Sequence, residues 1–313
     1  MIFKNAVTAV FERSLNLKKN ETCLIVTDTI KESIAKVFFE YAQLNAKSAE
    51  LIVIEPTKEH ATEPPRNVSQ KMLLYDVEIL ITDKSLTHTE ARRSATQKGA
   101  RIATMPGITE EIINRCMDID YTALKRESNR IHAILKSAKK VRVTTKIGTD
   151  MTFYMGKTDF FGKDGGSFDY PGAYGNLPEG EVSFAPETCE GIYLVDASYP
   201  GLGILDSPIT FKVKNGSVYE ITGVNSDKVF ERINSVGPKA FLVAELGIGL
   251  NPKAKIIGKI LEDEKVIGTV HIATGNNLSY GGTNDVPIHL DGVITTPDIY
   301  VDNNPIMKSG RFI

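Results

Sequence analysis

Residues 22–54 read TCLIVTDTIKESIAKVFFEYAQLNAKSAELIVI. Two short apolar runs, TCLIVT at 22–27 and ELIVI at 50–54, flank a segment that places Ile30, Ile34, Phe38 and Tyr41 on one helical face. A strand, a helix and a second strand in this order predict parallel pairing through a crossover. The alternation continues outward, with VEILIT at 77–82 and ARIAT at 100–104 as further strands. Helical segments are expected at 4–16, at 90–98 and at 121–138. Residues 1–139 are therefore expected to form an α/β, Rossmann-like domain on a mostly parallel sheet. No GxxxxGKS/T occurs there, and no GxGxxG stands between a strand and a helix, so the shape alone does not imply a nucleotide.

After Lys139-Lys140 the pattern changes. VRVTT at 141–145 alternates, Gly148-Thr149-Asp150 offers a turn, and Met151 to Tyr154 extends again. Strands are expected at 192–195, 209–213 and 218–222, the last two joined by the hairpin signal Asn215-Gly216. One helix interrupts, over 227–235. Residues 140–313 are expected as a β-rich α+β domain that carries a metal site. The glycine-rich stretch 162–180 reads as a loop or flap, of the kind that often covers an active site, or as a plain surface excursion.

With 37 Lys+Arg against 39 Asp+Glu the formal net charge is −2, which gives no electrostatic reason to expect nucleic acid. No apolar stretch reaches bilayer length, and the N-terminal helix is broken by Glu12 and Arg13, unlike a signal peptide. Cys23, Cys116 and Cys189 are an odd number with no CxxC spacing, which speaks against a disulfide framework or a thiolate zinc site. A cytoplasmic protein with no membrane partner is expected.

The chemistry concentrates between 245 and 291. Two of the five histidines, His271 and His289, lie there in strand-like surroundings. His289 and Asp291 are two residues apart, a spacing that projects both side chains from one face of a strand. Glu245 ends the apolar run AFLVA and precedes Gly247, where a buried carboxylate is costly unless it is paired or metal-bound. A lone histidine in an apolar strand is more often a hydrogen-bonded core residue than a ligand. Two of them among several carboxylates instead suggest mixed nitrogen and oxygen ligation of zinc, cobalt, manganese or ferrous iron.

The ordered blocks NLPEGEV, AELGIGLNP, LEDEK, GTVHIATGNN and IHLDGV, with GTDMTF upstream, resemble the metallo-aminopeptidases of the aminopeptidase T and aminopeptidase S type, which are leucyl aminopeptidase-like. The resemblance implies a hydrolase that removes N-terminal residues from peptides through a metal-activated water, with two divalent ions, Zn, Co or Mn. It assigns Glu181, Glu245, Glu264, His271, His289 and Asp291 as metal ligands, with Glu245 bridging. Glu181, or else Glu264, would also shuttle a proton, and Tyr280 would steady the oxyanion. It further implies a homodimer. The chain departs from the pattern at Lys265 to Val270, which are additional, and at Leu278, which stands where the family has its tyrosine. The sequence also looks related to 2,5-dihydroxypyridine dioxygenases. On that reading His271, His289 and Asp291 are the two-histidine, one-carboxylate set of a mononuclear Fe(II) ring-cleaving enzyme with a small-molecule substrate.

Overall fold

The computed structural model describes residues 3–313. The chain forms two compact units, one of residues up to Lys125 together with Asp164–Glu179, the other of Arg126–Lys163 together with Gly180–Ile313. The expected fold class, an α/β unit on a parallel sheet followed by a β-rich α+β unit, is the one observed.

In the first unit five parallel strands lie in the order Ser48–Ile54, Thr22–Asp28, Val77–Ile81, Arg101–Thr104 and Tyr174–Asn176. Residues 23–26 of the second of these are buried on both faces, which explains why TCLIVT reads as a continuous apolar run rather than an alternating one. Leu24, Val26, Leu80 and Ile102 build one core with Val68 and Met72 of the helix Arg66–Met72. The helix Glu32–Asn45 buries Ile34 and Phe38 as expected. Ile30 precedes it in a turn and is 54% exposed. The glycine-rich stretch is not a free flap. Its Tyr174–Asn176 segment takes the sheet edge beside Arg101–Thr104.

Glu78 interrupts this core. It lies between Leu24 and Ile102 in register, has no exposure, and neither carboxyl oxygen has a hydrogen-bond partner. Burial pushes its pKa well above the usual carboxylate range. Between pH of about 4.3, where the unfolded side chain ionises, and this raised value, the folded chain binds the extra proton. Stability contributed here therefore falls as pH rises. Glu78→Met should stabilise the protein by about 1–3 kcal/mol. Thermal melts of both proteins should show a gap that is small near pH 4.5 and widens toward pH 8.

The second unit holds two sheets. An eight-stranded antiparallel sheet runs Ser217–Thr222, Ile209–Lys214, Thr188–Val195, Asp150–Tyr154, Lys140–Thr144, Asp298–Val301, Asn304–Lys308 and Arg311–Phe312. Its Asn215-Gly216 turn has φ of 51° and 77°, the left-handed pair that such a hairpin needs. A seven-stranded sheet runs Gly203–Ile204, Ser198–Tyr199, His289–Ile294, Val270–Gly275, Val243–Gly249, Glu181–Phe184 and Phe160–Phe161. Among the described residues no helix is long and apolar enough to cross a membrane.

Candidate metal centre

Four neighbouring strands of the seven-stranded sheet place the chemistry on one face. Register pairs Gly249 with Glu181, Glu245 with Ala273, Gly247 with His271, Ala273 with Asp291 and Gly275 with His289. Acidic and imidazole side chains thus alternate across the sheet with glycine and alanine. The small partners leave room for the large ones to lean together. At Gly247 this is a requirement, because a Cβ would stand 2.0 Å from His271 Nε2.

The result is a buried cluster. Glu181, Glu245, Glu264, His271 and Asp291 are each less than a tenth exposed. His271 Nε2 lies 3.0 Å from Glu181 Oε2 and 3.4 Å from Glu245 Oε1. His289 Nε2 lies 2.7 Å from Glu245 Oε2 and 3.3 Å from Asp291 Oδ1. Three triads close enough to hold a metal ion share corners: Glu181, Glu245 and His271; Glu245, His289 and Asp291; Glu264, His271 and Asp291. Glu245 joins the first two and Asp291 the last two.

The donors fit a cation. His289 Nδ1 is 2.7 Å from the Asn276 carbonyl oxygen, which only accepts, so Nδ1 carries a proton and Nε2 faces the carboxylates. Glu181 Oε2 and Glu245 Oε2 are buried and lack a hydrogen-bond partner of acceptable geometry, although imidazole nitrogens are within 3.0 Å. Carboxylate oxygens crowded around ring nitrogens without aligned hydrogen bonds are what a shared positive ion would join. The electrostatics agree. Burial works to raise the Glu245 pKa, yet His271 and His289 hold it well below the usual range. Burial works to lower both imidazoles, yet Glu181 and Glu245 hold His271 well above its ordinary value, and Asp291 and Glu245 do the same for His289.

Glu264 and Glu181 have a further partner, which the sequence did not single out. Lys265 has no exposure, and its Nζ donates to Glu181 Oε1 at 2.5 Å and to Glu264 Oε1 at 2.6 Å. Burial pushes Glu264 up to about 7 against the pull of Lys265. Tyr280 is brought to the cluster by a short 3-10 turn, Leu278–Tyr280, which leaves Leu278 42% exposed and buries Tyr280. Its ring stacks on His289 at 5.7 Å between centroids, and burial together with Glu245 holds its hydroxyl well above the usual range.

Strand-borne imidazoles and carboxylates around one buried point define a class of chains suited to hold a divalent metal ion. Over residues 3–313 the chain matches the family 2,5-dihydroxypyridine 5,6-dioxygenase, and it belongs to that family. A 2,5-dihydroxypyridine 5,6-dioxygenase of Pseudomonas putida is 23% identical over 272 residues, covering 79% of this chain and 74% of the relative. The solved 2,5-dihydroxypyridine dioxygenase of Pseudomonas putida KT2440 superposes with a TM-score of 0.86 at 19% identity, covering 99% of this chain and 98% of the other. Wild-type AmpT from Thermus thermophilus gives 0.72 at 17% identity, covering 100% and 98%. At these identities the two structures establish a shared fold.

The family match corrects the aminopeptidase reading, and with it the hydrolase, metalloprotease and exopeptidase activity. The physical reason for the misreading is that the two kinds of protein share a fold.

Proposed function

We propose that the chain is a mononuclear non-haem Fe(II) dioxygenase that opens the ring of a dihydroxylated pyridine with one molecule of O2. The observation that carries this reading is the meeting of His271 and His289 at Glu245, with Asp291 beside them, in a chain that belongs to the family along its length. The residues that would hold the ion are His271, His289, Asp291 and Glu245. Ferrous iron supplies a redox partner for O2 and a Lewis acid for a ring hydroxyl.

The side chains supply the rest. The Asn276 carbonyl fixes the His289 tautomer and so aims its Nε2 at the cluster. Tyr280 braces the same ring by stacking and keeps its hydroxyl protonated, ready to donate to an oxygen of the substrate. The buried sheet face keeps bulk water from the reacting atoms. Cys23, Cys116 and Cys189 form no disulfide, which supports a reducing cytoplasm as the setting.

Protein reconstituted anaerobically with Fe(II) and given 2,5-dihydroxypyridine should consume O2 in equal amount to the ring absorbance lost. His289→Ala should do neither. Absence of O2 uptake by the iron-loaded wild type would remove the reading.

A further inference from the structure

The LEDEK block contains a lysine that the proposed function leaves unused. Lys265 is one of the largest side chains with no exposure, and it follows directly on the short helix Ile260–Asp263 and Glu264. Its backbone is pinned on both sides. Lys265 N donates to the Glu262 carbonyl at 3.0 Å, and Asn251 N donates to the Lys265 carbonyl at 2.8 Å. The side chain is thus launched from a fixed point into the cluster, where it ends between Glu181 and Glu264.

Those two glutamates each belong to a triad of donors close enough to hold an ion, Glu181 with Glu245 and His271, and Glu264 with His271 and Asp291. A pair of divalent ions needs carboxylates on both, to offset their charge and to bridge them. Here one ammonium lies within hydrogen-bond distance of an oxygen from each of Glu181 and Glu264. A compact point charge with three donors suits that place, whereas a divalent ion there would lie against the ammonium. The remaining donors are those of Glu245, His289 and Asp291, which form a triad of their own, with His271 beside Glu245.

We propose that Lys265 is a built-in cation that occupies the second metal position, so that the cluster accepts one divalent ion rather than two. This rests on the metal reading above and adds what sets the number of ions. Lys265 is a positioning residue, since it acts through Glu181 and Glu264. Replacing it by a neutral side chain frees both carboxylates and opens the second position.

The test is a titration of the chelator-stripped full chain with Mn2+, read by bound metal per chain and by paramagnetic resonance. Wild type should bind one Mn2+ with an isolated-ion hyperfine pattern. Lys265→Met and Lys265→Gln should each bind two, with an exchange-coupled pattern. Should either variant unfold without metal, excess Mn2+ is expected to refold it, because an ion able to replace the ammonium also replaces its structural role. Wild type at one ion and folded variants also at one would overturn the lysine's role alone, as would variants that Mn2+ fails to refold, or wild type at two. Wild type that binds none would remove the metal reading itself and this inference with it.

Discussion

Replacing Gly247 by alanine is expected to abolish tight metal binding without touching a single ligand. The added methyl would stand 2.0 Å from His271 Nε2 and 2.1 Å from its Cε1, about half a normal contact. Neither side can yield easily. Gly247 lies in the middle of the strand Val243–Gly249, hydrogen-bonded on both edges, and the His271 ring is buried. The imidazole must rotate away from Glu245 and Glu181, taking its nitrogen out of the cluster. Loss of second-layer support around a metal typically costs 10–100-fold in affinity. Displacement of a donor should exceed that, to at least ~100-fold. Calorimetric titration with Mn2+ checks it, beside circular dichroism to show that the sheet persists. An alanine variant that binds metal like the wild type would mean that His271 is not a donor.

Glu245→Gln should have the second largest effect. The side chain keeps its shape but loses the charge that reaches both imidazoles, 3.4 Å to His271 and 2.7 Å to His289. Metal affinity should fall at least ~100-fold, and its pH dependence should move. Ring nitrogens must be deprotonated to bind metal, so binding strengthens as pH rises through their pKa values. Carboxylates hold both histidines well above the ordinary value in the wild type, which places that rise on the alkaline side. Without the Glu245 charge both pKa values drop, and the residual binding of Glu245→Gln should level off at lower pH. Binding of Mn2+ measured across pH 6–9 for both proteins checks the direction.

The period-two spacing of His289 and Asp291 was enough to place them on one face, and the continuous apolar runs were enough to predict a parallel sheet. The meeting of His271 with Glu245 was not legible locally, because it depends on the register between two strands and on a glycine opposite the ring. The ordered blocks point to those residues, but the fold that carries them is shared with AmpT, and a fold does not fix the chemistry. Lys265 is illegible for a different reason. Within LEDEK it looks like part of a solvated charge run, and only the fold buries it between carboxylates 84 positions and one position away. Tyr280 is named through the resemblance despite Leu278 at the family's position, and the turn at 278–280 buries the tyrosine and leaves Leu278 exposed.

The most direct measurement is an anomalous difference map at the iron edge from crystals of the Fe(II)-loaded chain. One peak is predicted, roughly 2.0–2.2 Å from Nε2 of His271 and of His289 and from oxygens of Asp291 and Glu245. A peak elsewhere, or iron that leaves either imidazole unligated, would contradict the account.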